Sequence, residues 1–442
     1  MKGEMQSGFS STIDSHDRAV AELEDRLIEQ SDKFGDVARI GLMITSLLEL
    51  NKILPAVMET ALQVVKAEVG HIMLFDGRLA HDSRVSWGLS RKLADSIRNE
   101  SGESLWDYIQ FTGKSLNIDS LGQRGDWKID DTQAHVDNLL AVPLKAQDHA
   151  IGAMVVANKA GGAHFVGDDL STLEMLGSFA AVAVENTLLH EHTLARLRME
   201  AELDMARHVQ KTLMPKKVVE LGRLSIVAHN HMAMQVGGDF YDIIEISPQK
   251  YILVVADVSS KGLPAALLMT STRSLIRAYA DETLDLAQLI KNVNFQLCKD
   301  SNELRGMFVT LAAVMIDFDD KVIRSVNAGH PPAFLRYSDG AIRELKVGGP
   351  FLGQFDDLEF TLESHPLANG SRLFMYTDGT FEGVDNQGKM LGLSRLREFF
   401  AMNSHLSSDR FIGQLRGILD NYSCEKSNVD DTTYLLADVR RV

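Results

Sequence analysis

Apolar residues fall into blocks of different period along the chain. From Ile40 to Ala67, "IGLMITSLLELNKILPAVMETALQVVKA", they recur every three or four positions, which predicts an amphipathic helix. "HIMLF" at 71–75 reads as a strand, and a polar, glycine-containing middle follows. "NLLAVPL" (138–144) and "AIGAMVVANK" (150–159) then read as two neighbouring antiparallel strands. No proline lies between Pro143 and Pro215, and from Ser171 a helical pattern runs almost unbroken to Leu213, where Pro215 stops it. Past Pro215 the texture changes to short apolar strands: "LSIVAHN", "YILVVAD", "VTLAAVMID", "VIRSVNA", "RLFMYTD" and "TTYLLADV". Two helical stretches, "PAALLMTSTRSLIRAYA" and "LDLAQLIKNVNFQLCKD", follow the second of these. Strands gathered around a helix pair predict an α+β fold with two sheets, not alternating βαβ units.

Two helical segments carry a seam. In the polar leader (1–35), Val20, Leu23 and Leu27 share one face, a short stripe that fits a frayed leader or the start of a coiled coil. In the linker (191–215), Met199, Leu203, Ala206, Gln210 and Leu213 alternate spacings of four and three. That is a coiled-coil seam with one polar member and predicts a parallel homodimer; the alternative is one amphipathic helix packed on a neighbouring domain.

Composition narrows the class without naming it. The 442 residues suit two to three domains, and a 45% apolar fraction supplies ordinary cores. A net charge of −16 argues against a nucleic-acid surface, which needs clustered Lys and Arg. No apolar run reaches a membrane span and no signal-peptide core is evident, so the expectation is a cytoplasmic protein with no membrane partner. Two cysteines, Cys298 and Cys424, exclude a disulfide framework or thiolate cluster.

The candidate chemistry is acidic. "YILVVAD" delivers Asp257 and "RLFMYTD" delivers Asp378 at strand ends followed by small turn residues. Asp239 and Asp242 lie just before one such strand, and Asp430 and Asp431 just before the last. Converging carboxylates repel unless hard cations neutralise them, and Mg²⁺ or Mn²⁺ takes oxygen ligands of this kind. "GGDF" at 237–240 evokes a cyclic-dinucleotide cyclase, but that pattern needs a further acidic residue ahead of the phenylalanine.

Residues 36–190 resemble a GAF sensory domain, on "LLAVPLKAQDHAIGAMVVANK" and "FVGDDLSTLEMLGSFAAVAVENTLLH". Residues 216–442, with the preceding "EAELDMARHVQKTLMP", resemble the SpoIIE-type branch of the PPM family of metal-dependent Ser/Thr phosphatases. "VGGDFYD", "ADVSSKGLPAALLM", "FVTLAAVMID", "NAGHPPAFL", "GGPFLG", "YTDGTFEG" and "DDTTYLL" occur in the family's order. The resemblance implies an αββα sandwich holding two Mn²⁺ or Mg²⁺ ions. It implies that Asp257 bridges the metals, that the Val258 carbonyl is a ligand, and that Asp378 and Asp430 hold the second metal. Asp239, which with Asp257, Val258, Asp378 and Asp430 makes up the implied metal-binding set, matches the acidic position that orients a metal-activated water, so the catalytic candidates are Asp239 and Asp257. The turn Leu263-Pro264-Ala265-Ala266 matches the start of a regulatory switch helix. The implied substrate is a phosphorylated anti-anti-sigma (STAS-domain) protein.

Two departures from the family pattern stand out. Ser260 replaces the usual glycine of the "DVSGxG" segment, which reduces backbone freedom. No histidine follows the Asp257 segment, so the proton donor to the leaving group is unassigned; His330 in "NAGHPP" is a candidate, against a structural role in a turn. An alternative to the enzyme is a weak pseudophosphatase that binds a phosphoprotein. In the sensor, no cysteine is present to attach a bilin, and His71, His81, His135, His149 and His164 read as isolated histidines rather than haem ligands. Asn158, Lys159, Phe165 and Asp169 resemble part of a cyclic-nucleotide-binding pattern, with Leu170 in place of its last acidic residue. Cyclic nucleotide, another small molecule, a protein signal and simple dimerisation all stay open.

Overall fold

The computed structural model describes residues 35, 39, 41 and 43–440, except 46, 48, 76–83, 90, 122–125, 130–135, 148, 282, 284, 301–305 and 423–429. Val20, Leu23 and Leu27 of the leader, with His81, His135 and Cys424, lie outside the described residues. The chain divides into two compact units, Met1–Leu197 and Arg198–Val442.

In the first unit, Leu47 and Glu49 interrupt the helix expected from Ile40, and α1 (Leu50–Val65) buries Leu50, Ile53, Leu54, Val57, Met58, Ala61, Leu62 and Val65 at helical spacing. Lys66 ends it in the left-handed conformation, φ 53°, its N–H donating to the Leu62 carbonyl. Ala67, expected in the helix, therefore begins β1 (Ala67–Leu74). The remaining main elements are β2 (Arg84–Trp87), α2 (Leu105–Thr112), β3 (Leu116–Ile118), β4 (Leu139–Ala146), β5 (His149–Lys159) and α3 (Gly167–Leu213). The sheet order is β2-β1-β5-β4-β3, with every pair antiparallel. The neighbouring strands read from the sequence are β4 and β5, with Leu139 opposite Ala157. Both faces of the sheet are covered: α1 and the start of α3 pack on Ile72, Val142 and Met154, and Leu105, Trp106 and Ile109 pack on Ala141 and Val155.

The second unit layers two sheets between helices. One sheet contains β6 (Phe240–Ser247), β7 (Lys250–Val258), β8 (Val309–Asp317) and β9 (Val322–Ala328) in that order, with short pairings of 348–349 and 363–366 against β9. The other contains β10 (Ala333–Arg336), β11 (Arg372–Tyr376) and β12 (Thr432–Val439), followed by the strand 224–231. Helices α4 (Leu263–Tyr279) and α5 (Leu286–Asp300) cover the first sheet, and α6 (Leu393–Asn403) and α7 (Ser408–Asn421) cover the second.

Period-two alternation produces this layering. In β7, Ile252, Val254, Ala256 and Val258 face the helix pair, whereas Tyr251, Leu253 and Val255 face the other sheet. A strand covered on both faces reads as a continuous apolar run, which is why "YILVVA" shows no polar alternation. The result is an αββα sandwich.

Candidate functional site

The topology brings distant carboxylates to one end of the sandwich. Asp257 is the penultimate residue of β7, and Asp239 immediately precedes β6, its antiparallel partner. Asp378 lies two residues past β11; Asp430 and Asp431 immediately precede β12, the antiparallel partner of β11. Antiparallel pairing places the end of one strand beside the start of the next, so these aspartates share an edge.

Asp242 does not join them. Three residues beyond Asp239, it is fully buried towards the helices, where Arg277 of α4 grips it with Nε at 2.6 Å and Nη2 at 2.7 Å. Arg273 approaches the same carboxylate at 3.2 Å. Strand alternation separates the two acids: adjacent Tyr241 faces the other sheet, and Asp242 the helix side.

Electrostatics at the edge follow from burying like charges together. Burial pushes the Asp239 carboxyl well up from its ordinary value, and Asp257 pushes it further. Asp257 is pushed up to about 7 by burial and then by Asp378, Asp430 and Asp431. Asp378 is pushed up to about 6 by burial, Glu382 and Asp430. Lys261 meets Asp430 at 3.2 Å. Among the described residues, no three acidic or histidine side chains close into a ready-made cation cage. The donor set nevertheless fits a hard divalent cation: it is all oxygen, and positive charge would relieve its mutual repulsion.

Several neighbours hold Asp239 in place. Thr377 accepts the Thr433 N–H at 3.0 Å, so its single hydroxyl proton is directed to Asp239 Oδ2, 2.6 Å away. Asn230 donates to the Asp239 carbonyl at 3.2 Å and to Thr433 at 2.8 Å. Asp431, adjacent to the expected ligand Asp430, accepts from the backbone N–H groups of Ala233 (2.8 Å) and Gly238 (2.9 Å). It is an anchor for the loop 233–239. A Cβ at Gly237 would fall 2.1 Å from Asp431, and one at Gly238 would fall 2.9 Å from the Val258 carbonyl and 3.2 Å from the Ala265 Cβ. The two glycines thus let the Asp239 loop touch Asp431 ahead of β12, the end of β7 and the first turn of α4 at once.

Gln210, the polar member of the expected seam, is buried against that loop. Its Nε2 donates to the Gly237 carbonyl at 2.7 Å, and its Oε1 accepts the Gly237 N–H at 3.3 Å. Leu203, Ala206 and Leu213 are half-buried, whereas Met199, Met205 and Val209 are exposed. In this chain the polar residue of the heptad pattern clamps a backbone segment.

Two other groups of candidate residues make defined contacts. Buried His330 donates from Nε2 to the Tyr376 carbonyl at 3.0 Å, leaving Nδ1 to accept from Thr310 at 2.8 Å. Burial lowers its pKa to about 3, so the ring is neutral and both nitrogens are engaged. It is a tie between sheets: Thr310 pairs with Asp257, and Tyr376 lies two residues before Asp378. In the sensor, Lys159 binds Asp169 at 2.7 Å and lies 5.4 Å from the Phe165 ring centroid, while Asn158 accepts the Asp137 N–H at 3.0 Å. These contacts tie the residues of that pattern into the fold of the sensor.

Ser260 carries the strain its identity foretold. Its φ is +124°, a conformation suited to glycine, and Gly262 follows at φ 74° before α4 begins. The loop keeps the glycine geometry despite the side chain. Leu263 and Pro264 are exposed at its end, and Ala265 and Ala266 are buried.

Comparison with known proteins agrees with these two architectures. Residues 48–185 match the family model for the GAF domain, and residues 247–440 match that for stage II sporulation protein E (SpoIIE). The chain therefore joins a GAF domain to a SpoIIE-type domain. It is related to protein IcfG of a Synechocystis species, with 30% identity over 227 residues, covering 46% of this chain and 36% of IcfG. It is also related to two phosphoserine phosphatases of Bacillus subtilis. RsbP is 28% identical over 42% of this chain and 47% of its own length; RsbU is 29% identical over 43% and 58%. Among solved structures, the SiaA-PP2C domain of Pseudomonas aeruginosa aligns over 56% of this chain and 99% of that one, with 22% identity and a TM-score of 0.49. No helix among the described residues is long and apolar enough to cross a membrane.

Proposed function

We propose that the chain is a signal-regulated protein serine/threonine phosphatase that uses two Mn²⁺ or Mg²⁺ ions, with the GAF domain as its sensor. The observation that carries this reading is the convergence of Asp239, Asp257, Asp378 and Asp430 on one edge of the sandwich from four separate stretches of chain. Asp257, the Val258 carbonyl, Asp378 and Asp430 would hold the ions, with Asp257 shared between the two. When bound, the ions supply a water of lowered pKa and neutralise charge on the phosphoryl oxygens.

The chain's own residues prepare the site. Thr377 and Asn230 fix Asp239, the acid assigned to orient the water. Asp431 holds the backbone leading to it. His330 is not the general acid in this reading, because its ring is neutral and committed at both nitrogens. The first turn of α4, Leu263-Pro264-Ala265-Ala266, acts as the regulatory switch: Ala265 packs on Gly238, so a shift of this turn displaces the Asp239 loop. Linker helix α3 passes the sensor's signal on within a homodimer. The substrate is a phosphorylated protein of the anti-anti-sigma (STAS) type, in keeping with the phosphoserine phosphatases RsbP and RsbU among its relatives.

The test is Mn²⁺-dependent hydrolysis of p-nitrophenyl phosphate by wild type and Asp378→Asn, each with and without the sensor. Activity that disappears in Asp378→Asn and changes on removing the sensor supports both parts of the reading. Metal binding without turnover of this ester or of a phosphoserine protein would transfer support to a phosphoprotein-binding pseudophosphatase.

A further inference from the structure

The chain holds 61 acidic and 45 basic residues, yet one cavity of the second unit is walled with the opposite sign. It measures about 620 Å³ and lies between the last turns of α3 and the strand 224–231. Arg207, Lys211, Lys216, Lys217, His229 and His231 line it, and no Asp or Glu does. Among the described residues, none of Arg207, Lys211, Lys216 and Lys217 has a carboxylate partner.

Like charges gathered without counter-charges repel, so such a wall is stabilised by an anion. Two local details point the same way. The Arg207 Nε is buried with no hydrogen-bond partner, an N–H for which a ligand oxygen would compensate. His229 is held neutral: burial lowers its pKa to about 4, reinforced by Arg416, Lys217 and His231. Its Nδ1 faces the Arg416 guanidinium at 3.4 Å, which leaves the ring proton on Nε2 as a donor. The volume lies within the range of small-molecule sites.

We propose that this cavity is a binding site for a small phosphorylated anion carrying at least two neighbouring negative charges. An occupant would bridge the end of α3 and the strand that supplies Asn230, the residue bonded to the Asp239 carbonyl. The site therefore adjoins the acidic edge, sharing Asn230 with it but none of its carboxylates, and its existence does not depend on the phosphatase reading.

The probe is inorganic pyrophosphate, titrated calorimetrically into the full chain in EDTA and low salt. Under these conditions the metal-free acidic edge repels it. The expected result is saturable binding at one site per chain, weakened at least about tenfold by Lys211→Glu with Lys217→Glu and by added salt. Lys261→Glu, beside Asp430, serves as the control and should bind as wild type. No saturable binding, or equal binding by the pocket variant, overturns the proposal. So does equal weakening by the control. If the charge-reversed chain loses its far-UV circular dichroism, Lys211→Gln with Lys217→Gln is measured against the same criterion. Binding of a phosphoserine peptide but not pyrophosphate would also overturn it, assigning the cavity to a protein ligand.

Discussion

Replacing Ser260 with glycine should stabilise the second unit. A non-glycine residue at φ +124° occupies sparsely allowed backbone space, which costs about 1–3 kcal/mol. Ser260 is exposed, and its hydroxyl has no hydrogen-bond partner among the described residues, so the change removes no packing and no bond. Glycine brings an opposing cost of roughly 0.5–1 kcal/mol through the greater freedom of its unfolded chain. The balance is a gain of about 1 kcal/mol, or roughly 2–4 °C in the melting temperature of a domain of this size. Differential scanning calorimetry should show the rise in the transition of the second unit. All three tryptophans, Trp87, Trp106 and Trp127, lie in the first unit, so their fluorescence melt should stay unchanged as an internal control. An unaltered or lowered second transition would refute the claim that serine strains this turn.

Gln210→Ala should lower turnover of p-nitrophenyl phosphate while the fold survives, because it strips both hydrogen bonds from Gly237 and frees the loop that carries Asp239. Leaving those buried backbone groups unsatisfied costs about 1–3 kcal/mol, measurable by urea denaturation; unchanged kcat would refute the positioning role. His330 is neutral in the folded state, with a pKa near 3 against an ordinary 6.5. Its contribution to stability is therefore complete above about 6.5 and is lost as pH falls from there towards 3, with a slope of up to about 1.4 kcal/mol per pH unit. His330→Gln should be less stable at pH 7.5 and show a shallower acid limb; identical limbs in urea-denaturation series from pH 7.5 to 4 would refute that assignment.

Local pattern determined most of the architecture. The period-two and period-3.6 blocks marked the strand pairs, the two helices after β7 and the long α3, because burial on one face or both leaves its trace in residue order. Ordered motifs located the carboxylates, since strand ends and starts are local features. Partners depended on tertiary structure. Asp239 and Asp242 look equivalent in the sequence, but strand alternation sends one to the acidic edge and the other into an ion pair with α4. Gln210 fits a heptad seam equally well whether its side chain meets a second helix or, as here, the backbone of Gly237. Asp431 became an anchor, and His330 a tie between sheets, only once strands far apart in sequence were brought together. Short-range periodicity records which face of an element is buried; what lies against that face is set by chain segments tens to hundreds of residues away.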